Sequence, residues 1–96
     1  MQAKEIESVI VGVLREVQII SGRGWTDLHS ESRPLGDLDG FDSLSAVEVT
    51  VAIEQKLECK FDIESIFTSE DGKRALSLKQ IGERVDKMLG SKELSK

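Results

Sequence analysis

Apolar residues recur at three- and four-residue steps near the start of the chain: Ile6, Val9, Ile10, Val13, Val17 and Ile20 share one face if the segment is helical. The pattern predicts a helix from about Ala3 to Ile20. Gly12 falls inside it at a cost of about 1 kcal/mol relative to alanine, which burial of the apolar face must offset. Ser21-Gly22-Arg23-Gly24 ends this helix, because glycines adopt turn conformations at low cost. A second helix is predicted from Ser43 to about Glu58, and it carries two apolar stripes. Ala46, Val49, Ile53 and Leu57 form one, and Leu44, Val47 and Val51 form another, rotated well away. A helix on a small domain needs only one stripe toward the core, so the second is either more core or an exposed docking surface. Ser77 and Gln80 form a capping-box pattern, with Leu76 and Ile81 placed for a hydrophobic staple. The helix they open has Leu78, Ile81, Val85 and Met88 as its buried stripe, Leu89 beside it, and is expected to end at Gly90.

Between these helices the chain is irregular. Ser21 to Asp42 is a long connection rich in Ser, Gly and Asp and holding the only proline, with Leu28, Leu35, Leu38 and Phe41 as apolar anchors. A connection of this length is usually functional or packed on itself, so it is expected to be ordered over the helices, with Trp25 anchoring it. Phe61 to Phe67 reads as a short apolar turn or helix, and Thr68 to Arg74 as a polar surface loop. Nothing alternates as a strand. The fold class is all-α: a small four-helix bundle of three main helices plus a short third helix, with a long ordered loop between the first two. Residues 1–90 form the domain and 91–96 a flexible C-terminal tail.

Composition narrows the function classes. At 96 residues with a net charge of −5, the chain suits one acidic domain, poorly matched to the phosphate neutralisation that nucleic-acid binding needs. Acidity favours basic protein partners instead. A single cysteine, Cys59, and a single histidine, His29, build neither an intrachain disulfide nor a structural zinc site. No apolar run has transmembrane length and no signal-peptide core opens the chain, so a cytoplasmic location is expected.

The chemistry concentrates at Gly40-Phe41-Asp42-Ser43-Leu44. Asp42 is placed to cap the second helix and Ser43 falls in its first turn, where backbone N–H groups lack partners and the helix dipole favours an anion. Preceded by Pro34-Leu35-Gly36-Asp37-Leu38, this stretch resembles the acyl carrier protein family, and the resemblance spans nearly the whole chain. It implies that Ser43 bears a 4′-phosphopantetheine arm, moved there from coenzyme A by a phosphopantetheinyl transferase. Acyl groups would then ride on the arm as thioesters, and the protein would be no enzyme. The resemblance also implies a partner surface of Asp42, Leu44, Val47, Glu48 and Val51, facing acyl-transferring or condensing enzymes that carry basic patches; Glu54 could add to its rim but reads better as part of a solvated helix face. The expected state is a monomer that keeps this stripe free, without stable membrane insertion. Ala46, Val49 and Ile53 with Ile63 and Ile66 are core residues that also suggest a groove sheltering an acyl chain. Ser45, where fatty-acid carriers place an acid, Gln55 and Lys56 in the second helix, and Lys73 and Arg74 depart from the ordinary pattern and imply a specialised acyl pathway, fatty-acid, polyketide or related.

Other functions fit less well. A peptidyl carrier uses the same modified serine; net acidity and Asp-Ser-Leu favour acyl cargo. Asp37 and Asp39, with Glu48 at the twelfth place, echo a calcium loop, but Phe41 stands where a side-chain oxygen is needed and Asp42 where glycine makes the turn. A serine hydrolase lacks its nucleophile elbow, with His29 the only available base. An armless helical adaptor is argued against by the presence of the serine.

Overall fold

The computed structural model describes residues 2–61, 63–69 and 71–94. Among the described residues four helices follow in order: α1 (Ala3–Ile20), α2 (Pro34–Asp37), α3 (Ser43–Leu57) and α4 (Leu78–Leu94). The three long ones sit where the periodicity predicts, and α1 packs against both α3 and α4. The core takes Ile6, Ile10 and Leu14 from α1, Ala46, Val49 and Ile53 from α3, and Leu78, Ile81 and Val85 from α4. α4 comes very close to α1 at Gly82, where a Cβ would lie 3.0 Å from the Ala3 carbonyl oxygen.

The α1 stripe is turned slightly from its predicted line. Leu14 and Gln18 are buried, whereas Ile20, at the helix end beyond the packed turns, is 77% exposed. The capping box at α4 forms as predicted: the Ser77 N–H donates to Gln80 Oε1 at 2.9 Å and the Gln80 N–H to Ser77 Oγ at 3.2 Å. Two further first-turn N–H groups, those of Leu78 and Lys79, donate to the Ser32 and Ser30 carbonyls at 2.8 Å. The long connection is therefore stitched to the start of α4. Leu38 and Phe41 bury it from inside, and Leu28, Leu35 and Trp25 pack on the core from its edge. Trp25 is thus the anchor its position suggests.

Two expectations of local structure change. The short helix lies in the long connection, where Pro34 opens α2, Gly36 (φ 121°) kinks it, and the Leu38 N–H closes onto the Pro34 carbonyl at 3.2 Å. Phe61 to Phe67 forms bends instead, Asp62 lying outside the described residues. Side chains take the two N–H groups that a helix here would use in its own ladder, Ile66 N–H donating to Thr50 Oγ1 at 3.2 Å and Phe67 N–H to Ser65 Oγ at 3.1 Å, while the Phe61 N–H donates to Glu54 Oε2 at 2.6 Å. Phe61, Ile66 and Phe67 turn into the core, and the Phe67 ring meets Phe41 edge-on at 5.3 Å. The segment then folds back through an antiparallel bridge between Thr68 and Ala75. Gly90 does not end the last helix. α4 continues to Leu94, since an interior glycine costs only about 1 kcal/mol. Of the expected tail, Ser95 and Lys96 lie outside the described residues.

Candidate functional site

Ser43 is the first residue of α3, and its side chain is exposed. Asp42 precedes it in extended backbone (φ −103°, ψ −176°), and its carboxylate accepts the Ser45 N–H at 2.9 Å. This is the predicted cap. The Ser45 N–H, reinforced by the Ser45 hydroxyl and then by the Arg23 guanidinium, holds the Asp42 carboxyl below its ordinary value of 3.8. Asp42 therefore stays ionised beside Ser43 at neutral pH. Ser45, fourth residue of the cap motif, faces inward and is buried, leaving Ser43 as the accessible hydroxyl of the turn.

Contacts made by Arg23 and Gln18 fix the approach to Ser43. Gly40 has φ 69°, and its missing side chain leaves room for Arg23, whose Cδ and Nε would lie 3.0 and 3.1 Å from a Cβ there. Arg23 crosses this gap and donates from Nη1 to Ser45 Oγ at 3.1 Å. Gln18, fully buried, donates from Nε2 to the Asp39 carbonyl at 2.8 Å and the Gly24 carbonyl at 3.0 Å, which ties the last turn of α1 to both ends of the connection. Gln18 falls four residues after Leu14 and eight after Ile10, so a polar residue on an apolar stripe was the available signal. Arg23 has no such signal, because its partner lies 22 positions away.

The second stripe of α3 is exposed. Leu44 is 69% and Val51 46% exposed, Glu48 is exposed and Val47 half-buried, while Ala46, Val49 and Ile53 face the core. Glu54 is not simply a solvated face acid: it is half-buried and its carboxylate accepts the Phe61 N–H. An open groove of about 640 Å³ adjoins Ser43, with Leu35, Ala46, Val47 and Ile63 on its apolar side. Only Ala46 and Ile63 of the residues expected to line such a groove do so, because Val49, Ile53 and Ile66 are wholly taken up by the core. His29 is exposed and its Nδ1 accepts the Glu31 N–H at 3.3 Å. The acidic loop is likewise used locally: the Asp37 carboxylate accepts the Arg33 N–H at 2.8 Å, and among the described residues no three His, Cys, Asp or Glu side chains converge on a metal-sized site.

A phosphodiester-linked arm fits this geometry. The hydroxyl is open to solvent and no described side chain overhangs it with a hydrogen bond; the first turn of α3 has no acid of its own. An anion at this helix start meets unpaired N–H groups. No helix among the described residues is long and apolar enough to cross a membrane. No curated protein and no solved structure matches the chain. Residues 26–71, from the long connection through α3 and into the loop beyond it, match the family described as Phosphopantetheine attachment site.

Proposed function

We propose, from the premise that residues 26–71 form a phosphopantetheine attachment domain of the kind found in acyl carrier proteins, that Ser43 is the residue bearing the arm and that the protein delivers acyl intermediates to partner enzymes. Such a domain is where 4′-phosphopantetheine is covalently attached, and carrier domains of this family are not catalysts. The observation that carries the assignment to Ser43 is its exposed hydroxyl at the start of α3, beside the Asp42 cap and opening onto the groove.

During modification the Ser43 hydroxyl loses its proton to the transferase, and its Oγ forms a new bond to the phosphoryl group of coenzyme A that carries pantetheine. The pyrophosphate bond breaks and adenosine 3′,5′-bisphosphate leaves. The bound arm supplies a terminal thiol that holds acyl groups as thioesters. This chain's own residues place and present the arm. Asp42 holds the helix start rigid, Arg23 and Gln18 fix the backbone leading to it, and the α3 surface meets the partner. Leu44 and Val51 give apolar contact there, while Asp42 and Glu48 attract basic patches and speed encounter. Tethering raises the cargo's effective concentration at each enzyme. The partners are a phosphopantetheinyl transferase and acyl-transferring or condensing enzymes of a fatty-acid, polyketide or related dedicated pathway, met by a monomeric carrier in the cytoplasm.

The test is intact mass after incubation with coenzyme A, magnesium and a broad-specificity phosphopantetheinyl transferase. Wild type gains one phosphopantetheinyl group, Ser43→Ala gains none, and Ser45→Ala, which alters a buried neighbour, still gains one. A gain that survives in Ser43→Ala refutes the assignment.

A further inference from the structure

The groove at Ser43 is not uniformly apolar. α2 and α3 contribute Leu35, Ala46 and Val47, but the segment after α3 and the exposed side of α4 contribute Ser65, Thr68, Asp71 and Arg84. Arg84 is half-buried and donates from Nη1 to the Thr68 carbonyl, which holds its guanidinium at the groove wall. A guanidinium has five N–H donors, and this is the one hydrogen bond Arg84 makes among the described residues. Asp71 is differently placed. Its Oδ1 accepts from the Ser69 hydroxyl and the Lys73 N–H, and these, with Arg74 nearby, hold its carboxyl below the ordinary value. Asp71 therefore stays ionised with Oδ2 open to solvent, so the groove carries this exposed anion as well as the Arg84 cation. Glu64, the other acid on the groove, is exposed. Ser65 Oγ accepts the Phe67 N–H and keeps its own proton to donate.

We infer, resting on Ser43 as the attachment residue, that the groove selects an acyl cargo whose chain ends in a carboxylate, with its methylenes along Leu35, Ala46, Val47 and Ile63 and its carboxylate on Arg84. Ser43 itself lines the groove, so the arm it bears starts at the groove's own wall and the occupant is tethered to it. A plain alkyl chain laid to the same depth strips water from a guanidinium and from hydroxyl groups while returning no hydrogen bond, which is costly. A carboxylate replaces that water with a charge-assisted bond. The discrimination therefore comes from the polar wall and not from chain length.

The experiment compares hexanoyl and adipyl groups, which have the same carbon count and differ in the terminal carboxylate. Both are loaded onto Ser43 from the acyl-coenzyme A by a broad-specificity transferase. Two readouts are taken: the Arg84 Nε–Hε resonance with the Ser65 and Thr68 amides by ¹H–¹⁵N NMR, and the rate at which hydroxylamine cleaves the thioester. The adipyl form shifts those resonances and is cleaved roughly two- to fivefold more slowly, the range of a partly exposed ion pair. Arg84→Gln removes the difference and Arg84→Lys restores part of it. Equal cleavage with no shift in the loaded wild-type protein overturns the inference and leaves the arm on Ser43 standing, and this comparison needs no variant to fold. A difference that persists in folded Arg84→Gln also overturns it. Failure of Ser43 to load at all overturns the carrier reading and the groove with it.

Discussion

Gly40→Ala tests how the approach to Ser43 is held. The position has φ 69°, in the left-handed region, where an L-residue costs about 1 kcal/mol relative to glycine. The new Cβ would also meet the Arg23 side chain at 3.0 Å. That side chain is flexible enough to move, and moving it breaks the hydrogen bond to Ser45 Oγ, worth about 1 kcal/mol. The two effects predict a loss of about 2 kcal/mol, or about 10 °C in Tm for a domain of this size. They separate in a double-mutant cycle. With Arg23→Ala already in place, Gly40→Ala loses only the backbone component, about 1 kcal/mol, leaving a coupling of about 1 kcal/mol between the sites. Urea unfolding followed by Trp25 fluorescence measures each corner, because Trp25 is half-buried against the core. A coupling below about 0.3 kcal/mol, within the usual additivity of independent sites, would refute the Arg23–Gly40 contact. A negligible cost in the Arg23→Ala background would refute the backbone argument.

Thr50→Val keeps the shape of a buried side chain but leaves the Ile66 N–H without its acceptor; stability falls by about 1–3 kcal/mol, and hydrogen exchange at Ile66 accelerates. Asp42 has its carboxyl pKa lowered by folding, so it stabilises the fold above its unfolded value and that contribution is lost as pH falls through the folded one. Asp42→Asn is therefore expected to flatten the pH dependence of Tm below about pH 3.8, with no change of slope near neutrality. Leu44→Ala with Val51→Ala removes exposed apolar surface, so stability stays within about 0.5 kcal/mol. Acyl transfer by a docking partner nevertheless falls several-fold in kcat/KM, and unchanged transfer rules out this face as the docking surface.

The sequence by itself determined the three long helices, the Asp42 cap, the Ser77–Gln80 capping box and the position of Ser43. Each follows from contacts within one or two helical turns, and such contacts leave a periodic or local mark in the chain. It also separated the two stripes of α3, since a helix fixes which residues share a face; which stripe stays exposed was settled only when α1 covered the other. Tertiary structure alone decided the rest. Thr50 and Ser65 claimed the Ile66 and Phe67 N–H groups that a helix over 61–67 would use, and the core took Val49, Ile53 and Ile66 out of the groove. Gln18 and Arg23 reached partners 21 and 22 positions away, and Arg84 reached the groove from the last helix. Pairings at such separations arise from how helices pack, which no local pattern of residues encodes.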